Sequence, residues 1–139
     1  MSYHLAAAVQ AAAPQKYLLD VNALIAALTL NHPDHRKTDA WLTGKVLVTC
    51  PLSELGYLRI STNPKALNLS MATARRMLGT FITKRKVEFV PADVPALKSV
   101  AQNSEQITDQ YLAQLVANKG LKLATLDQRI QHSAAEIIV

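Results

Sequence analysis

Tyr17-Leu18-Leu19-Asp20-Val21-Asn22-Ala23-Leu24-Ile25-Ala26-Ala27-Leu28 is a short apolar run that ends in a carboxylate and passes without a break into Ala and Leu in helical proportion. A strand that feeds straight into a helix is the opening of a βα unit, and the pattern recurs downstream. Val46-Leu47-Val48-Thr49 reads as a second buried strand, followed by Pro51 at a first helical position, where its missing N–H is not needed. Val87-Glu88-Phe89-Val90 and Leu121 to Thr125 supply a third and a fourth strand, and Ile137 to Val139 is read as a terminal edge strand.

Helical patterns fill the intervals. Arg36 to Leu42 ends before Gly44 with Trp41 and Leu42 on its buried side. The helix from Pro51 is expected to bury Leu52, Leu55, Leu58 and Ile60, and Asn63-Pro64 closes it. Ser70 caps a helix whose stripe is Ala74, Met77, Leu78, Phe81 and Ile82. A weaker helical stretch runs from Pro95 through Val100, Asp109 opens a stronger helix that Gly120 stops, and a short helix is expected after Asp127. Alternation of this kind implies right-handed crossovers and an α/β fold of three layers, with a central parallel sheet between helices.

With 139 residues, half of them apolar, the chain can bury one substantial core and is too short for two ordinary domains. The expected domain spans residues 16–139, preceded by an Ala-rich arm over residues 1–15 that Pro14 delimits. The arm's apolar stretch from Leu5 to Ala13 lacks a basic leader and falls short of the roughly 20 residues that span a bilayer, so no membrane association is expected. The single cysteine, Cys50, rules out an internal disulfide and a Cys-rich zinc site, which fits a cytoplasmic protein. His4, His32, His35 and His132 show no metal-ligand spacing and are assigned no chemistry.

The formal charge of +5 favours polyanions only weakly, but its distribution is informative. Between Leu55 and Val87 stand Arg59, Lys65, Arg75, Arg76, Lys84, Arg85 and Lys86 without a carboxylate. That segment reads equally as a phosphate track and as a solvated helix face.

Ligand sites in open α/β sheets gather beyond the carboxyl ends of the strands, where strand order reverses. Asp20 directly follows the first strand, Glu54 lies just beyond the second, and Asp127 follows the fourth, so parallel pairing puts all three on one rim. Asp109 joins them if its helix begins at that rim, as a helix returning to the next strand must. Singly, each acid reads as a helix cap or a favourable charge at a helix start. Together, in a chain with only ten carboxylates, they read as a cluster. Clustered acids raise one another's pKa and call for a cation, hard oxygen ligands suit Mg²⁺ or Mn²⁺, and such ions support in-line hydrolysis of a phosphodiester.

The segments Leu18 to Ala26, Pro51-Leu52-Ser53-Glu54-Leu55-Gly56, Thr108-Asp109-Gln110-Tyr111-Leu112 and Leu123-Ala124-Thr125-Leu126-Asp127 resemble, in order and spacing, the signature blocks of PIN-domain ribonucleases. More narrowly, they resemble the VapC toxins of bacterial toxin–antitoxin pairs, and Arg59-Ile60-Ser61-Thr62-Asn63-Pro64 is similar to a stretch found in one VapC branch. The resemblance runs from about Lys16 to the C-terminus. It implies an Mg²⁺- or Mn²⁺-dependent endoribonuclease with Asp20 and Asp109 as direct ligands. Glu54 and Asp127 would complete the pocket directly or through water, with Asn22 and Thr125 as hydrogen-bonding supports. It also implies an RNA substrate, with Arg59, Arg75 and Arg76 as the expected RNA track, a cognate VapB-like antitoxin, and a homodimer.

Two other readings compete: a nuclease of housekeeping RNA processing, and an RNA-binding module without catalysis. A haloacid-dehalogenase-like phosphatase needs a second Asp where Asn22 stands, and four glycines form no P-loop.

Overall fold

The computed structural model describes residues 13–139, so the arm lies outside the described residues apart from its last three. Strand β1 (Lys16–Leu19) leads into α1 (Val21–Leu28) and α2 (His35–Leu42). Next come β2 (Val46–Thr49), α3 (Pro51–Thr62), α4 (Met71–Arg85) and the two-residue strand β3 (Glu88–Phe89). After two 3-10 turns, at Ala96–Lys98 and Ser104–Gln106, α5 (Ile107–Asn118) leads to β4 (Lys122–Thr125) and β5 (Ala135–Ile137).

The five strands form one parallel sheet in the order β3-β2-β1-β4-β5. The chain steps outward from β1 through β2 to β3, then crosses back to place β4 on the other side of β1. Because crossovers are right-handed, that reversal sends α5 to the opposite face from α1 to α4. Side-chain alternation along the strands separates the two cores accordingly. Leu19, Leu47 and Ala124 pack with Leu24, Leu28, Tyr57 and Leu78 on one side. Leu18, Val48 and Leu123 pack with Leu112, Leu115 and Val116 on the other. The three-layer α/β/α arrangement is the expected one.

Several local expectations need correction. Helix α3 does not bury Leu55, which is 60% exposed; its buried face is Tyr57 with Ser53, Gly56 and Ser61, three small residues of which Gly56 meets Val21 of α1. The stretch after Pro91 forms no full helix. Two prolines and a 3-10 turn hold it instead, and it is tied down from α5 by the Tyr111 hydroxyl donating to the Val94 carbonyl (2.7 Å) and the Gln114 amide donating to the Lys98 carbonyl (2.9 Å). Helix α5 starts two residues before Asp109, placing that acid in the first turn. No helix follows Asp127, because its Oδ1 accepts the Arg129 N–H at 2.9 Å and closes a turn. The last strand begins at Ala135, two residues earlier than expected. Gly120 does stop α5, with a φ of +69° that other residues rarely adopt. Among the described residues no helix is long and apolar enough to cross a membrane.

Candidate acidic site

Strand order reverses between β1 and β4, and there the chain places Asp20 and Asp127. Leu19 pairs with Ala124, so the two chains leave the sheet side by side, and the Asp20 N–H still donates to the Ala124 carbonyl at 3.2 Å. Asp20 then caps α1, its Oδ1 accepting the Ala23 N–H at 2.8 Å. The capping role and membership of the cluster thus coexist in one side chain.

Asp20 is only 2% exposed. Burial pushes its carboxyl up to about 6, the Thr125 hydroxyl and Ala23 N–H oppose that, and the charges of Asp109 and Asp127 add to it. Asp109, half-buried in the first turn of α5, is also raised, first by burial and then by Asp127, against the pull of Arg129. Asp127 moves the other way. Arg129 holds it below the usual carboxylate range, with Nε to Oδ1 and Nη2 to Oδ2 both at 3.0 Å. Thr125 stands between two of the acids: its hydroxyl lies close enough to Asp20 to lower that acid's pKa and accepts the Asp127 N–H at 3.0 Å.

Glu54 occupies the first turn of α3, as expected, but its Oε2 accepts the Thr49 hydroxyl at 2.7 Å and it is not among the charges that shift Asp20. The structure therefore gathers Asp20, Asp109 and Asp127 into mutual electrostatic range and leaves Glu54 beside the end of β2. Among the described residues no three His, Cys, Asp or Glu side chains are disposed to hold one metal ion, and Glu54 and Asp127 are engaged by Thr49 and Arg129. The donor chemistry nonetheless fits a hard divalent cation. Every candidate ligand is a carboxylate oxygen, and two of these acids carry the raised pKa that a nearby cation relieves.

Two small clefts flank Asp127. One, of about 200 Å³, is lined by Glu105, Asp109, Gln110, Asp127 and Arg129; the other, of about 220 Å³, by Asn22, His32, Asp34, Asp127 and Arg129. Arg59, Arg75 and Arg76 line neither cleft; Arg76 lines a separate groove with His35, Asp39 and Phe81. Sequence reasoning passed over Arg129. Its signal was the two-residue offset from Asp127, which suits an Asx turn followed by a side-chain ion pair.

Comparison with known proteins agrees with this fold. A model of the PIN domain family matches residues 17–136. The chain is 37% identical over 122 residues to Ribonuclease VapC38 of Mycobacterium tuberculosis, covering 79% of this chain and 84% of that protein. It is 33% identical over 133 residues to Ribonuclease VapC39 of the same organism, covering 88% and 96% respectively. Among solved structures, VapBC2 from Rickettsia felis bound to a DNA fragment from its promoter superposes with a TM-score of 0.59 at 12% identity, covering 88% of this chain and 98% of that one, a likeness of fold. The chain belongs to the PIN-domain family and, within it, to the VapC ribonucleases.

Proposed function

We propose that this protein is a metal-dependent endoribonuclease that acts as the toxin of a toxin–antitoxin pair. One observation carries the catalytic part: a carboxylate buried to 2% exposure at the switch point of the sheet, within range of two further acids. Fold stability alone gives no reason to bury like charges together. Relatives that bear the name ribonuclease support RNA as substrate, and the VapBC2 fold neighbour supports a VapB-like antitoxin as partner. A homodimer is part of the same reading.

Asp20 and Asp109 would hold Mg²⁺ or Mn²⁺, with Glu54 and Asp127 contributing directly or through water. Such an ion, once bound, would supply an activated water and neutralise charge at the scissile phosphate. The chain's own contribution is preorganisation. The α1 cap and the Thr125 hydroxyl fix the Asp20 carboxylate, so it needs no reordering when substrate arrives. Asp109, on a packed helix rather than a loop, faces the cleft with its proton affinity already raised. Asn22 lines the neighbouring cleft as a polar support. Arg59, Arg75 and Arg76, exposed on α3 and α4 and outside both clefts, add attraction for the phosphate backbone.

Purified protein free of antitoxin should cut single-stranded RNA when Mg²⁺ or Mn²⁺ is added and stop when EDTA is added. Asp20→Asn and Asp109→Asn should each lose cleavage and relieve the growth arrest caused by expression. Full activity in either variant contradicts the assignment.

A further inference from the structure

Arg129 is the one cation among the described residues that lines either of the two clefts, and it lines both. Its neighbours there are acidic: Glu105, Asp109 and Asp127 on one side, Asp34 and Asp127 on the other. A phosphodiester entering such a place is repelled unless a cation is offered to it. Arg129 is built to make that offer. Its side chain is 88% exposed, while the Asp127 it holds is 12% exposed, so the guanidinium sits on the rim and its partner below. A guanidinium so exposed is open to solvent and can exchange its carboxylate for another anion. The fork that grips both oxygens of Asp127 matches two oxygens of a phosphate equally well.

His32 supplies a second donor across the adjoining cleft. Its Nδ1 accepts the Asp34 N–H at 3.0 Å, which places the proton of the neutral ring on Nε2.

Resting on the ribonuclease reading above, we infer that Arg129 is the phosphate clamp of the site. It pairs with Asp127 while the clefts are empty and turns to a backbone phosphate of the RNA strand. The strand then crosses both clefts, and the nucleotide beyond the clamp lies against Asn22 and His32. Arg129 thus keeps Asp127 neutralised until substrate arrives, and its departure frees that carboxylate.

The test is a double-mutant cycle read by fluorescence anisotropy, with a labelled single-stranded RNA oligonucleotide and the full chain in EDTA, so that no cleavage intervenes. Asp127→Asn keeps the acceptor that closes the turn but releases the guanidinium. It should tighten RNA binding about tenfold when Arg129 is present, and no more than about threefold in the Arg129→Gln background. Arg129→Gln alone should weaken binding about fivefold and lower the salt slope by roughly one ion. Equal gains from Asp127→Asn in both backgrounds, with an unchanged salt slope for Arg129→Gln, overturn the clamp and leave the ribonuclease reading standing. Failure of the wild-type chain and of Asp127→Asn to bind RNA at any salt contradicts both.

Discussion

Gly56 on α3 lies so close to Val21 on α1 that a Cβ added to the glycine would stand 2.3 Å from Val21 Cγ2. Val21 follows Asp20, and Gly56 is two residues past Glu54, so this contact sets the distance between two acid-bearing helix starts. Val21 is β-branched and stiff at χ1, which leaves the added methyl little room. Gly56→Ala gains helix propensity of up to about 1 kcal/mol but forces the helices apart, for a net loss of roughly 1–2 kcal/mol. Urea unfolding should show that loss, and adding Val21→Ala should restore most of it.

Burial of Asp20 predicts a pH dependence with a definite sign. Its carboxyl titrates at about 6 in the folded protein and near 4 in the unfolded chain, so the folded state holds the proton more tightly between those values. Stability contributed by the protonated form is complete below about pH 4 and is lost as pH rises through 6. Asp20→Asn keeps an acceptor for the α1 cap and removes the charge. It should stabilise the metal-free protein by roughly 1–3 kcal/mol at pH 7.5 and by little at pH 4, as thermal unfolding at the two pH values will show.

Thr125 is fully buried, its hydroxyl accepts the Asp127 N–H and it lowers the Asp20 pKa. Thr125→Val keeps its shape but removes the hydroxyl, which ends the bond from the Asp127 N–H and the polar support of the buried Asp20 carboxylate. A stability loss of about 1–3 kcal/mol and a further rise in the Asp20 pKa are expected, with RNA cleavage reduced about tenfold to a hundredfold. An NMR titration of the Asp20 carboxyl separates the second effect from simple unfolding.

Arg75 and Arg76 are exposed on α4, away from both clefts. Replacing both with Gln should weaken RNA binding and lower its salt slope by up to about two ions, while the cleavage rate at saturating RNA stays unchanged. A fall in that saturated rate would place them in the chemistry instead.

The sheet and the strand-end acids were legible because both depend on local pattern. An apolar run ending in Asp20, and another ending in Thr125-Leu126-Asp127, suffice once the strands are parallel. The buried face of α3 was not legible, because Ser53, Gly56 and Ser61 are buried for closeness of approach rather than for hydrophobicity. Arg129 was missed for a related reason. A lone exposed cation carries no periodic signal, and its meaning comes from the Asp127 oxygens to which a turn delivers it. The engagement of Glu54 by Thr49 likewise depends on where β2 ends against α3.

The central claim is that Asp20 and Asp109 act by holding a divalent cation, and calorimetric titration of the antitoxin-free protein with Mn²⁺ tests it most directly. The account predicts saturable binding by the wild-type chain, with protons released at pH 6 as Asp20 gives up its own, and loss of that binding in Asp20→Asn and in Asp109→Asn. Mn²⁺ binding of unchanged affinity in both variants, or none in the folded wild-type protein, would contradict it.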